Sequence, residues 1–479
     1  MSRLLISIAL IILSQYANAR SETKGLVEGE IIVRFPGQFN QAVAQSKLDV
    51  NQYKIKEVIN PTLNMYLVEV EEPAVVAIKK LRFNEAILYA QPNHYIQYRG
   101  DLGPTTNSSE AAQSLLANNL LRGLPNDPLM NQMWSLMDPS VGTGGISANL
   151  VWNTSVGGKD QGGNDIVVAV VDGGVDVKHP DLIQNIWINK EEIPDNQIDD
   201  DGNGFVDDVY GWNAFNNNGN ISSDGHGTHV TGTIGAMGNN SLGISGVNWN
   251  VKVMTVMGAS GTTATVAKAY GYVIEQKKLW FASKGKKGAN IVATNSSFGI
   301  DNVNCASGDY PIWNDLYENM GKLGILSATA TANNNVNVDE VGDVPTGCLS
   351  EYIVTITNTQ RDNTKYISAG YGLKTIDLGA PGTNIYSTLP GATFGLLTGT
   401  SMATPHVAGS IGLLHSVASP AFYEQYINDP GKAALVLKEA LLQGTDPLPS
   451  LKGITVSGGK LNVSKAAQLV KNFRGFRSK

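Results

Sequence analysis

The sequence predicts an α/β protein: a mainly parallel sheet with helices on both faces, preceded by a small α+β unit. Three observations predict it. From about Leu124 onward, short apolar runs alternate with helical segments, as in Asp165–Val171, Val251–Val256, Ala289–Ser297, Gly324–Ala332 and Tyr352–Thr359. Such runs are what parallel strands covered on both faces require. The stretch before them reads β-α-β-α-β over about 80 residues, enough for a compact unit. The length of 479 residues exceeds what one core serves, since roughly 150 residues per domain is usual. With 42% apolar and only 16% charged residues the chain is globular rather than disordered.

Taken in order, Met1–Arg3 carries one positive charge and Leu4–Leu13 is apolar but for Ser7. Ala17-Asn18-Ala19 puts small residues where a signal peptidase reads, so residues 1–19 are expected to be a signal peptide cleaved after Ala19. Spanning a bilayer takes about 20 apolar residues. No run is that long, and an exported protein without a transmembrane segment is expected. Residues 20–99 form the small unit. Strands are expected at Gly29–Phe35 and Asn64–Glu71, and helices at Asn40–Leu48 and Pro73–Phe83. Ala86–Tyr98 is expected to be extended, with Pro92 at an edge or break. Residues 100–123 read as a linker open to nicking, 124–470 as the main domain and 471–479 as a basic tail. A formal charge of −7 argues against nucleic acid as a partner. Cys305 and Cys348 are either one disulfide of an oxidising compartment or two buried thiols.

Three strings carry the chemistry. In "VVAVVDGGVD" a buried strand delivers Asp172 at its carboxyl end. In "DGHGTHVTGTIGA" His226 opens a helix of small residues. In "GTSMATPHVAG" Ser401 enters a helix whose first turn suits Pro405. A serine hydroxyl needs a histidine to take its proton, and an aspartate to fix that imidazole. Singly, each residue is more often a cap or turn former. The pair His226 and His229 lacks the glutamate of H-E-x-x-H, which argues against zinc. Clustered acids in "DDDGNGFVDD" put Asp199, Asp201, Asn203 and Asp207 at positions 1, 3, 5 and 9 of an EF-hand-like loop. Tyr210 stands where the bidentate glutamate belongs, so a solvated turn is the equal alternative.

In these three strings, and in the order Asp, His, Ser, the chain resembles the subtilisin-like serine proteases. The resemblance runs from about Pro125 to Ala466. It implies a secreted serine endopeptidase acting on polypeptides through an acyl-enzyme, with Asp172 orienting, His226 as base and acid, and Ser401 as nucleophile. It places the oxyanion donor at Asn333, with Asn334 as a rival. It makes Ala330, Thr331 and Ala332 the lining of the pocket for the residue before the cut bond. Thr331 and Ala332 depart from the family's usual alanine and glycine there. "TNSSFG" resembles the substrate-binding strand, whose edge at Ser297, Phe298 and Gly299 would pair with a peptide. "GNNSLGISGV" resembles a Ca²⁺ loop, with Asn240, Leu242 and Ile244 as ligands and Asp181 adding a carboxylate. No organic cofactor is implied. The first unit is similar to the family's inhibitory pro-domains, which are ferredoxin-like, and implies a monomeric zymogen that cuts itself between Gly100 and Asn126. The alternatives are a catalytically weak peptide-binding or adhesive relative, favoured by "ATATANNN", and an esterase. The latter is opposed by the absence of G-x-S-x-G around Ser401.

Overall fold

The computed structural model describes residues 25–37, 39–48, 53–100 and 123–475. The expected signal peptide, most of the linker and the end of the basic tail lie outside the described residues. The chain divides into two units, the smaller being Met1–Tyr95 with Thr262–Ala264 and the larger the remainder.

In the smaller unit the elements run β1 (Leu26–Arg34), α1 (Gln41–Leu48), β2 (Lys54–Asn60), β3 (Met65–Glu69), α2 (Ala74–Leu81) and β4 (Tyr89–His94). The strands order as β2-β3-β1-β4 and all pair antiparallel. This βαββαβ arrangement is ferredoxin-like. It contains one strand more than the sequence reading allowed. β2 hides because its pairing with β3 slips twice, between Ile55 and Glu57 and between Val58 and Asn60, so the apolar residues do not alternate. Pro92 lies on β4 at the sheet edge, where its missing N–H costs no central ladder bond. Ile31, Val33, Val68 and the α2 residues Ala77 and Ile78 form the core.

The larger unit is built on nine strands: β6 (Val167–Asp172), β7 (Gly211–Asn213), β8 (Lys252–Met257), β9 (Ile291–Ser296), β11 (Leu326–Ala330), β13 (Ile353–Thr359), β14 (Leu378–Pro381), β17 (Asp446–Pro447) and β18 (Gly459–Lys460). Their order is β17-β18-β14-β13-β11-β9-β6-β8-β7, parallel except for β17. Every residue of β6, β9, β11 and β13 is buried: β6 is an unbroken apolar run up to Asp172, and the others mix buried threonine, serine or asparagine with apolar residues. The longer helices are α3 (Gly225–Gly235), α4 (Thr263–Ala282), α5 (Pro311–Lys322), α6 (Thr400–Val417), α7 (Pro420–Asn428), α8 (Pro430–Gln443) and α9 (Val463–Lys471). β6 lies between β8 and β9, where the direction of winding reverses. The carboxyl ends of strands at such a point form a natural crevice. A second, three-stranded sheet orders β12 (Asp343–Val344), β10 (Phe298–Asp301) and β5 (Gln97–Tyr98). β15 (Ile385–Leu389) and β16 (Thr393–Leu397) make a hairpin. Cys305 and Cys348 form a disulfide that closes a separation of 43 residues.

Candidate active site

Asp172 is the last residue of β6, and His226 the second residue of α3. The Asp224 side chain caps α3 by accepting from Gly227 N–H at 2.9 Å. α3 lies against the sheet because Gly227 has no side chain: a Cβ there would sit 2.0 Å from the Gly174 carbonyl. His226 Nδ1 is 3.0 Å from both Asp172 oxygens, which puts the ring proton on Nδ1 and leaves Nε2 as the basic nitrogen. Burial opposes charge on His226, but Asp172, by charge and hydrogen bond, and then Asp224 outweigh it. Its pKa is therefore raised. The other histidine of the pair differs. Burial pushes His229 down to about 3, and its Nε2 meets the Ile385 carbonyl at 2.9 Å, as a neutral structural residue does.

Ser401 is the second residue of α6 and fully buried. Its Oγ donates to the Ser297 carbonyl at 2.9 Å, while His226 Nε2 has no hydrogen-bond partner. The Ser–His bond is therefore not formed in this state. Pro405 lies in the interior of α6, beyond the first turn that the sequence suggested. Lacking an N–H, it leaves the Ser401 carbonyl without its helical donor, and Ser297 Oγ fills that role at 2.9 Å. Asn333 Oδ1 accepts from Thr400 N–H at 3.0 Å and from Thr400 Oγ1 at 3.1 Å. Its Nδ2 is thereby turned toward Gly399, where a Cβ would lie 3.2 Å from it. The rival Asn334 is engaged elsewhere, donating to Asp301 Oδ2 at 2.9 Å.

The crevice holds a stretch of the chain's own backbone. β5 pairs antiparallel with β10, Phe298 facing Tyr98 and Gly299 facing Gln97. On the other side Ile96 N–H donates to the Gly261 carbonyl at 2.9 Å. Arg99 N–H donates to the Ser297 carbonyl at 3.2 Å, and the Arg99 carbonyl accepts from Ser401 N–H at 3.0 Å. The Tyr98 ring stacks on His226 with centroids 4.5 Å apart. A Cβ on Gly100 would be 3.1 Å from His226 Nε2. An extended peptide thus lies along the expected substrate edge, with one carbonyl on the serine amide and the next residue against the histidine.

The subtilase family profile matches residues 163–446, more than half the chain. The chain belongs to the subtilase family. The fervidolysin N-terminal prodomain profile matches residues 13–93. The chain is similar to subtilisin-like protease 1 of Plasmodium falciparum, with 33% identity over 326 residues, 63% of this chain and 43% of that protein. It therefore spans less than half of that relative's length. Thermitase of Thermoactinomyces vulgaris is 28% identical over 72% of this chain and 99% of its own. The crystal structure of fervidolysin from Fervidobacterium pennivorans superposes with a TM-score of 0.61 at 19% identity, over 93% of this chain and 61% of that one. That likeness concerns the fold.

Of the subtilase's expected pocket residues, Ala330 and Ala332 are buried at the end of β11 and in the loop beyond. Thr331 does not present its hydroxyl to the pocket, because Oγ1 donates to the Ile356 carbonyl at 2.8 Å. The expected Ca²⁺ loop lies beside Asp181, which it meets through N–H donors and not through the oxygens expected as ligands. Asn240 Nδ2 reaches Asp181 Oδ1 at 2.8 Å and Ile244 N–H reaches Oδ2 at 2.9 Å, while Leu242 N–H donates to Asn240 Oδ1. Asp127, which the sequence did not single out, joins the loop by accepting from Asn239 and Asn240 N–H. Burial, with the Asp127 charge adding, pushes Asp181 up to about 6. A buried carboxylate with a second acid beside it fits a divalent cation.

Of the two readings of the acidic string, the hydrogen bonds of Asp199 and Asp207 are those of a turn. Asp199 accepts from the N–H groups of Gly202, Asn203 and Gly204, and Asp207 from those of Asn196 and Gln197. Both are turn formers. Asp201 instead clusters with buried Glu192 and Asp208, their oxygens within 4.8 Å of one another, and Asn203 Nδ2 bridges Asp201 and Asp208. Glu192 lies outside the string, so no local spacing pointed to it. Among the described residues no helix is long and apolar enough to cross a membrane.

Proposed function

We propose that this subtilase is an exported serine endopeptidase made as a zymogen, with Asp172, His226 and Ser401 as its triad. The reading rests above all on the Arg99 carbonyl, which accepts from Ser401 N–H while the next residue lies against His226. In the reaction Ser401 Oγ turns from the Ser297 carbonyl about χ1 and attacks a peptide carbonyl held in that position. His226 Nε2 takes the hydroxyl proton and passes it to the leaving amine. Asp172 holds the tautomer and stabilises the imidazolium. Ser401 N–H and Asn333 Nδ2 stabilise the oxyanion. Substrate binds by adding a strand to β10 at Ser297, Phe298 and Gly299. The Asp181 loop, with Asp127, Asn240, Leu242 and Ile244, would hold a structural Ca²⁺. The cluster of Glu192, Asp201 and Asp208 is a second acidic candidate for one. The matched prodomain makes the chain's first unit its own inhibitor before processing.

Casein hydrolysis by the wild type, with Ser401→Ala and His226→Ala each lowering kcat by 10⁴-fold or more, is the expected result. Undiminished hydrolysis in Ser401→Ala would refute the assignment. Secretion predicts recovery from the medium of a protein whose earliest N-terminus is Arg20.

A further inference from the structure

Arg99 is drawn into the crevice, and its side chain is only 2% exposed. Nη2 donates to Asp343 Oδ1 at 2.5 Å and lies 3.4 Å from the Val344 carbonyl. Nη1 sits 2.5 Å from Asp301 Oδ1, an ion pair by distance without hydrogen-bond alignment. Each acid has its other oxygen fixed by a neutral donor: Thr346 Oγ1 donates to Asp343 Oδ2, and Asn334 Nδ2 to Asp301 Oδ2. Asp301 and Asp343 face each other across the β10–β12 ladder, so two strands set their spacing. Gly299 forms the wall, and a Cβ there would lie 2.2 Å from Arg99 Nη2. The carboxylate of Asp343 is fully buried, and burial pushes it up to about 6 although the Arg99 charge beside it acts the other way. A carboxylate so placed is costly without a cation, and a planar fork that reaches two acids suits it better than an ammonium or an apolar chain.

We propose that Asp343 and Asp301 make the pocket for the residue before the cut bond selective for arginine, and that Arg99–Gly100 is the bond this protease cuts in itself. The inference rests on the endopeptidase reading above. It places the bond just before the stretch in which the sequence led us to expect it. Ser401 Oγ adds to the Arg99 carbonyl carbon, the C–N bond to Gly100 breaks, and the proton from Oγ leaves on the Gly100 amine by way of His226. Water then hydrolyses the ester, returning Ser401 and releasing the Arg99 carboxylate. Tyr98, stacked on His226, precedes arginine in the recognised sequence.

The test uses the full chain. Mass spectrometry of the processed wild type is expected to show an N-terminus at Gly100. Peptides ending Ile-Gln-Tyr-X before the cut bond are expected to be cleaved with kcat/KM on the order of 100-fold higher for X = Arg than for X = Leu, and above X = Lys. Asp343→Asn should lower kcat/KM for the arginine peptide by about 100-fold and collapse the Arg:Leu ratio. Asp301→Asn, at a partly exposed position, should do the same more weakly. A preference for leucine in the wild type, or an unchanged ratio in both variants, overturns the pocket. A first cut elsewhere in a chain that keeps its arginine preference overturns the self-cleavage site. Hydrogen exchange in the uncleavable Ser401→Ala chain keeps this test apart from the endopeptidase reading. Arg99→Leu should raise exchange at residues 97–100, and no rise overturns the pocket whether or not the wild type is active.

Discussion

Ser401 donates its hydroxyl proton to a carbonyl rather than to His226, and the reason lies in two residues. Pro405 frees the Ser401 carbonyl, and Ser297 takes up both ends, donating its Oγ to that carbonyl and accepting from Ser401 Oγ. Ser297→Ala would strand a buried carbonyl, a loss of about 1–3 kcal/mol readable by denaturant unfolding. An unchanged midpoint would show that another donor replaces it. His226 gives a pH prediction. Only its neutral form accepts the serine proton, so kcat/KM rises with pH through the folded pKa. Asp172 raises that pKa, and the acid limb should lie above the usual histidine value of about 6.5. Asp172→Asn should move the limb down and lower kcat by about 10⁴-fold. A limb that stays in place in that variant would remove Asp172 from the account. At this scale long strings singled out Asp172, His226 and Ser401, of which the structure joins the first two by hydrogen bonds. The sequence was silent on Asp343, which meets Arg99 across 244 positions with no local pattern to announce it.

Elements explain why some readings failed. β2 escaped notice because its two register slips erase alternation, whereas the buried strand β6 announces itself by an unbroken apolar run. The acidic string at Asp199 resembles a loop motif by spacing alone. Backbone N–H groups claim Asp199 and Asp207, and the converging carboxylates come partly from Glu192, outside it. The disulfide is a second case. Cysteine count left pairing open, yet Cys305 and Cys348 lie shortly beyond Asp301 and Asp343, past the ends of the two paired strands that carry those acids. Replacing both by serine is expected to cost about 4 kcal/mol on a chain-entropy basis, and to raise KM for arginine peptides more than it alters kcat. Equal stability of the variant would show that the link constrains little. The Asp181 loop carries a pH sign. With its folded pKa near 6, above the unfolded value of about 3.9, its stabilising share is present at low pH and fades as pH rises through 6. In the proposed site Ca²⁺ would compete with that proton. Adding Ca²⁺ should raise Tm by several degrees at pH 8 and little at pH 5, as scanning calorimetry would register. A Ca²⁺ effect equal at both pH values contradicts a site on Asp181.

At the scale of the whole molecule, the parallel sheet brings the three strings together because β6 sits where its winding reverses, and α3 and α6 carry the other two residues into the crevice. That architecture was legible from the alternation of apolar runs and helices. The grouping of its residues was less so: the pro-region is expected to end at residue 99, where the proposed cut also ends it, while the segment Ile96–Gly100 groups with the larger unit. The cause is its pairing with β10 and its carbonyl on Ser401, contacts that no composition shift marks. The most direct measurement is mass-spectrometric mapping of a fluorophosphonate probe on the processed protein. The account predicts one adduct, on Ser401, formed at least 10³-fold more slowly in His226→Ala. An adduct on another residue, or an undiminished rate in that variant, would contradict it.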